Sequence, residues 1–207
     1  MDDLQRNEAW FKERCGKFTG SKFASVMARN KKTGLPLKEY FDLIADIVVE
    51  RFTGEPVEGP KGFALLWGTE VEPAALEAYE LETGFQTEQV GFIQHPTYDF
   101  AGCSPDSFVG EDGGLEMKCP KSSRVHLERF TDGLPEEYKP QVQGCMWVTG
   151  RKWWDFVSFD PRMPDSHQLL IIRIERDDEY IKQLEKEVIT AEGIVQARLA
   201  ALMKVTR

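Results

Sequence analysis

The stretch Gly102-Cys103-Ser104-Pro105-Asp106-Ser107-Phe108-Val109 is followed by Gly110-Glu111-Asp112-Gly113-Gly114 and then by Leu115-Glu116-Met117-Lys118-Cys119-Pro120. The middle five residues are the kinds that make turns and supply positive φ. The pattern therefore predicts a β-hairpin with strands over 102–109 and 115–119. Side chains alternate along a strand, so Glu116 and Lys118 share one face while Leu115, Met117 and Cys119 share the other. The short turn brings Asp106 close to the position opposite Glu116. Like charges directly opposed across a strand pair are destabilising unless something binds them. Two carboxylates suit a hard divalent cation such as magnesium, which keeps several waters for a substrate. Lys118, on the same face, is placed to orient or activate one of those waters. A surface hairpin with a simple Glu–Lys ion pair is the alternative, and a second Glu-x-Lys triplet at Glu137-Tyr138-Lys139 shows that the spacing alone is cheap. On these residues alone the two readings stand level.

Outward from the hairpin, the chain alternates helical and strand patterns. Two short helices are expected between Asn7 and Arg29. Leu37, Tyr40, Phe41, Ile44, Ile47 and Val48 recur at helical spacing over 36–52, with Gly54 as the stop. The helical pattern over 63–82 contains Pro73, which is expected in a first turn, so the helix proper is expected to begin near Glu72. A strand is expected over 85–94, helices over 122–130 and 136–148, strands over 153–159 and 169–174, and a closing amphipathic helix over 177–204. This order predicts an α/β (α+β) domain with a central mixed β-sheet flanked by helices.

Composition bounds the function. The 207 residues are 41% hydrophobic and 29% charged, which excludes disordered and fibrous classes and is long enough for one domain with its own core. No run of apolar residues is long enough to span a membrane, and the acidic start Met1-Asp2-Asp3 has no signal-peptide character, so a soluble, cytoplasmic protein is expected. Cys15, Cys103, Cys119 and Cys145 form no Cys-x-x-Cys pair and point to neither zinc nor disulfides. The net charge of −9 is unevenly spread: residues 1–40 carry +4, residues 41–116 carry −14 and residues 117–207 carry +1. A basic arm beside an acidic middle reads as a solvated surface unless some carboxylates converge.

Five separated motifs do more. Ser104-Pro105-Asp106 with Glu116-Met117-Lys118 resembles the Asp…Glu-x-Lys signature of the restriction-endonuclease-like, PD-(D/E)xK nucleases. The wider phrase over 102–120 is similar to the phage lambda exonuclease family (alkaline exonuclease, YqaJ-like viral recombinase). So are Trp10-Phe11-Lys12-Glu13-Arg14-Cys15-Gly16 with Thr19-Gly20-Ser21, Trp67-Gly68 with Glu72 and Gly84, Gln141-Val142-Gln143 with Met146-Trp147-Val148-Thr149, and Phe159-Asp160-Pro161-Arg162-Met163. The resemblance implies a restriction-endonuclease-like fold over 1–207 and a Mg2+-dependent 5′-to-3′ double-strand DNA exonuclease. Such an enzyme releases 5′-mononucleotides and leaves 3′ overhangs for recombination by strand annealing; the alternatives are an endonuclease or resolvase on the same metal site, or a non-catalytic DNA-end-binding module. It implies two Mg2+ ions, with Mn2+ as a substitute, held by Asp106, Glu116, the Met117 carbonyl and Glu72, with Glu70 as the alternative to Glu72. Lys118 would activate water, and Gln141, or else Gln143, would lie over the site. Arg14, Ser21 and Thr19 would bind a terminal 5′-phosphate, and Leu65 would wedge between the end bases. The implied partners are 5′-phosphorylated duplex DNA, a single-strand annealing recombinase and two further copies in a homotrimeric ring. The implied setting is the cytoplasm of a bacterial host carrying the phage or prophage.

Overall fold

The computed structural model of the chain describes residues 4–57 and 63–205, with the backbone alone over 63–66. The amino-terminal arm forms α1 (Glu8–Arg14), β1 (Phe18–Thr19) and α2 (Phe23–Met27), and α1 starts where the Asn7 side chain accepts the Trp10 N–H. Next come α3 (Lys38–Thr53) and α4 (Phe63–Thr83), then β2 (Thr87–Glu88), β3 (Ile93–Gln94), β4 (Ala101–Cys103), β5 (Ser107–Val109) and β6 (Gly113–Lys118). The carboxyl-terminal half holds α5 (Ser123–Asp132), α6 (Lys139–Thr149), β7 (Trp153–Phe159), β8 (Leu169–Glu175) and α7 (Asp178–Met203). The expected mixed α/β architecture is present.

The main sheet has the order β2-β5-β6-β7-β8, antiparallel throughout except for the parallel pair β6–β7. A smaller sheet, β1-β4-β3, sits beside it. The two faces of the main sheet meet different cores. Val71, Ala75 and Tyr79 of α4 pack on Leu115, Met117, Val157 and Phe159. On the other side Trp154 joins Phe23, Ile44, Ile47, Val142, Met146 and Leu184 from α2, α3, α6 and α7. Asp155 is buried on the sheet but fully paired: Tyr79 donates to it at 2.7 Å and Arg173 binds it through two nitrogens at 2.5 and 2.9 Å.

Three expectations need correction. The strand expected over 102–109 is two strands in different sheets, interrupted at Ser104-Pro105-Asp106, because Pro105 has no N–H to give a ladder and restricts the residue before it. The segment 85–94 likewise divides, into β2 and β3. Pro73 lies inside α4 rather than in its first turn. Residues 71, 75 and 79 bury one stripe of that helix under the sheet, which outweighs the cost of the proline, and Pro73 itself faces solvent.

Helix α6 reaches the core by way of Gly144. A Cβ there would stand 2.1 Å from the buried Phe23 ring. Gly144→Ala should lower stability by about 1–3 kcal/mol through overpacking, despite alanine's better helix propensity. Urea unfolding checks this: the midpoint should fall with an unchanged slope, and an unmoved midpoint would mean that the Phe23 ring yields freely.

Candidate active site

The ladder between β5 and β6 pairs Ser107 with Leu115, and the Asp106 N–H continues it by donating to the Leu115 carbonyl at 3.2 Å. Asp106 therefore stands opposite Glu116. The Asp106 carboxylate accepts the Met117 N–H at 2.6 Å. Glu116 is only 2% exposed; one of its oxygens lies 2.5 Å from the Lys118 ammonium, while Oε2 is buried with no hydrogen-bond partner among the described residues. Burial pushes the Asp106 carboxyl up to about 8, and the neighbouring Glu116 charge adds to this against the opposing pull of Lys118 and the Met117 N–H. Burial also disfavours the Lys118 ammonium, but Glu116 and Asp106 outweigh it and hold the lysine above its ordinary range. The face opposite is apolar, as the alternation requires: Leu115, Met117 and Cys119 pack with α4.

A second cluster lies beside the acid pair. Arg14 donates to Ser104 Oγ at 2.8 Å, to Thr19 Oγ1 at 3.2 Å and to Ser21 Oγ at 3.4 Å, and its guanidinium lies 4.1 Å over the Trp10 ring. The Trp10 indole N–H reaches the same Ser104 hydroxyl at 3.0 Å. Burial lowers the Arg14 pKa, the mark of a cation stripped of much of its water. The cluster is a set of donors around a desolvated guanidinium, which suits an oxyanion. Ser104 and Asp106 are two residues apart, so one tripeptide carries both clusters.

The remaining candidates separate clearly. Glu72 opens onto the cavity that Asp106 and Met117 line, and its charge contributes to the upward shift of Asp106. Its carboxylate, however, is held by Arg6 at 2.8 Å, and no trio of His, Cys, Asp or Glu side chains among the described residues is gathered to hold an ion. Glu70 is exposed on the same helix. Gln141 is half-buried and packs over Gly20, in the turn between Thr19 and Ser21. Gln143 is 1% exposed and fully used elsewhere: its amide donates to the Glu175 carbonyl at 2.8 Å and accepts the Asp177 N–H at 2.9 Å. Leu65 is in the first turn of α4, and its side chain lies outside the described residues.

Residues 9–152 match the model of the YqaJ-like viral recombinase domain. The chain belongs to the YqaJ-like viral recombinase family. Among solved structures, the alkaline exonuclease LHK-Exo of Laribacter hongkongensis is 39% identical with a TM-score of 0.87, over 96% of this chain and 97% of its own. LHK-Exo in complex with dAMP gives 40% identity and a TM-score of 0.86, over 95% and 96%. A curated Escherichia coli (strain K12) protein, ExoD, itself uncharacterized, is 35% identical over 57 residues, and the match spans 64% of its length and 28% of this chain.

In this YqaJ-like domain, Ser104 and Arg6 are the site neighbours that the sequence pattern misses. Ser104 had a signal, since it sits two residues before Asp106 across a proline. Arg6 had none, because its partner Glu72 is 66 positions away. Tyr138 is a third: its ring lies 5.4 Å from the Lys118 ammonium.

The acid pair makes stability depend on pH. A carboxyl raised in the folded state stabilises the fold while protonated, so its contribution is complete below the ordinary carboxylate pKa and is lost as pH rises through about 8. In metal-free buffer the wild type should lose more stability between about pH 5 and about pH 9 than Asp106→Asn does. Urea midpoints at both pH values check this, and equal losses would remove Asp106 as the source.

Proposed function

We propose that the chain is a divalent-metal-dependent double-strand DNA exonuclease that hydrolyses one strand from a 5′-phosphorylated end. The observation that carries this reading is the placement of the desolvated Asp106–Glu116 pair and Lys118 directly beside the Arg14 oxyanion pocket, on either side of Ser104-Pro105-Asp106. The likeness to LHK-Exo, an alkaline exonuclease, over nearly the whole of both chains supports it.

The donor set fits Mg2+. Two opposed carboxylates, one with a buried unpartnered oxygen, form a hard-oxygen site that the single Lys118 ammonium only partly neutralises. Asp106, Glu116, the Met117 carbonyl and Glu72 would hold two ions, with Mn2+ as a substitute. Bound Mg2+ supplies Lewis acidity that stabilises charge on the attacking and leaving oxygens of an in-line displacement. Lys118, held as an ammonium by Glu116 and Asp106 in the metal-free site, would position the attacking water and would take its proton only once a bound dication replaces it as their counter-charge; Gln141 would orient that water or Lys118. Arg14, Thr19 and Ser21 hold the terminal 5′-phosphate, which selects ends and places the first linkage at the acid pair.

The products are 5′-mononucleotides and a 3′ overhang; dAMP, bound in the LHK-Exo complex, is a molecule of that product class. We assign the overhang to a single-strand annealing recombinase in phage-type recombination. A homotrimeric ring, each chain acting as one nuclease domain, accommodates the charge distribution, with the acidic residues other than Glu72, Asp106 and Glu116 on the outer surface and the basic arm toward the phosphates. No helix among the described residues is long and apolar enough to cross a membrane, and we place the enzyme in the cytoplasm of the bacterial host.

The test is digestion of a linear duplex, 5′-phosphorylated or 5′-hydroxyl, with Mg2+ or EDTA, with products resolved by size and strand. Mononucleotides should appear from the phosphorylated strand only with metal, and Asp106→Ala should reduce the rate at least ~100-fold. Arg14→Ala should reduce the preference for a 5′-phosphate about 10–100-fold, the worth of one or two charge-assisted hydrogen bonds. Internal cuts, or cleavage indifferent to Asp106, would overturn the assignment.

A further inference from the structure

The segment just before α1 closes one side of the acid site. Gln5 Nε2 donates to the carbonyls of Val90 and Pro105, each at 2.7 Å, so the strap is tied to the residue immediately preceding Asp106. Arg6 follows with φ +64, the one non-glycine residue at positive φ among the described residues. An arginine in that region is held by its surroundings rather than by its own preference. What holds it is α4: one guanidinium nitrogen binds Glu72 Oε1 at 2.8 Å, and the other donates to Thr69 Oγ1 at 3.0 Å. Arg6, Glu72, Gln89, Asp106 and Met117 all line one cavity of about 470 Å3.

We propose that Arg6 is a resident counter-cation, whose guanidinium occupies Glu72 and must be displaced from it when a divalent ion joins Glu72 to the Asp106–Glu116 pair. This rests on the divalent-metal part of the function proposed above. Asp106, which stands opposite Glu116 on the strand pair, lines the cavity, and Glu72, the other carboxylate on its wall, is withheld by a monovalent cation belonging to the chain. The Arg6 and Glu72 side chains are 36% and 28% exposed, so their ion pair is solvated and cheap to exchange, unlike the pair at Asp155, whose carboxylate is 1% exposed. Once displaced, the guanidinium stays tethered at the cavity mouth by Gln5 and presents planar donors to an incoming phosphate. Metal loading and phosphate entry thereby favour each other, since each takes one half of the Arg6–Glu72 pair.

Calorimetric titration of the metal-free full chain with Mn2+, without DNA, tests this directly. Arg6→Gln should bind Mn2+ at least ~5-fold more tightly than the wild type, the lower edge of ordinary coupling between sites. Arg6→Gly, which suits positive φ and removes the same charge, should match it and covers the case in which Arg6→Gln fails to fold. Arg6→Lys, which keeps a cation, should stay close to the wild type. The gain should vanish when Arg6→Gln is combined with Glu72→Gln; a gain that persists without Glu72 would overturn the proposal. Mn2+ binding to the wild type with no change in either charge-removing variant would sink this inference and leave the metal site standing. No binding to the wild type or to any Arg6 variant would sink the metal site and this inference together.

Discussion

Two carboxylates, Glu116 buried and Asp106 half-buried, oppose each other at the end of a strand pair, and the surrounding structure is arranged around that conflict. The ladder sets Asp106 against Glu116, so neither can move away without unpairing β5 from β6. Chain groups relieve part of the repulsion: the Met117 N–H serves Asp106 and the Lys118 ammonium serves Glu116. One buried oxygen of Glu116 is left with nothing among the described residues. That unserved oxygen is the observation on which the metal-dependent function proposed above draws.

The arm that carries Arg14 is fixed by charge rather than by apolar packing alone. Buried Glu50 of α3 accepts the Gly16 N–H at 2.8 Å and the Lys22 ammonium at 3.0 Å. Arg51 donates to the Gly16 carbonyl at 2.6 Å and forks onto Glu192 of α7 at 2.7 Å through two nitrogens. Both peptide groups of Gly16 are thus clamped, at a residue with φ +71 that places Arg14 and Thr19 on one side of the turn. Acidic residues, the majority charge of the chain, hold a cationic pocket in place.

Legibility in the sequence follows the range of the interaction concerned. Strands β7 and β8 and helices α3 and α6 stand out because their aromatic, β-branched or 3.6-spaced runs are long and end at glycines such as Gly54 and Gly150, both in the left-handed region. The two-residue strands of the small sheet carry no periodicity to detect. Pro73 misleads because a local rule on proline yields to burial of the α4 stripe, a tertiary effect. At the site, Asp106, Glu116 and Lys118 are within one hairpin, where alternation and register suffice to relate them. The bond from Arg14 to Ser104 spans 90 positions, and only motif likeness, not pattern, brings those two residues together.

Ser104-Pro105-Asp106 sets a length as well as a location. Two residues of extended chain reach no more than about 7 Å, so the Cα atoms that carry the Ser104 hydroxyl and the Asp106 carboxylate cannot separate by more than that. Proline in the middle, with its fixed φ, stiffens the interval further. Under the function proposed above, with a terminal phosphate at Arg14 and the first linkage at Asp106, this interval would act as a covalent ruler, its length set by three residues of backbone and not by the base being removed.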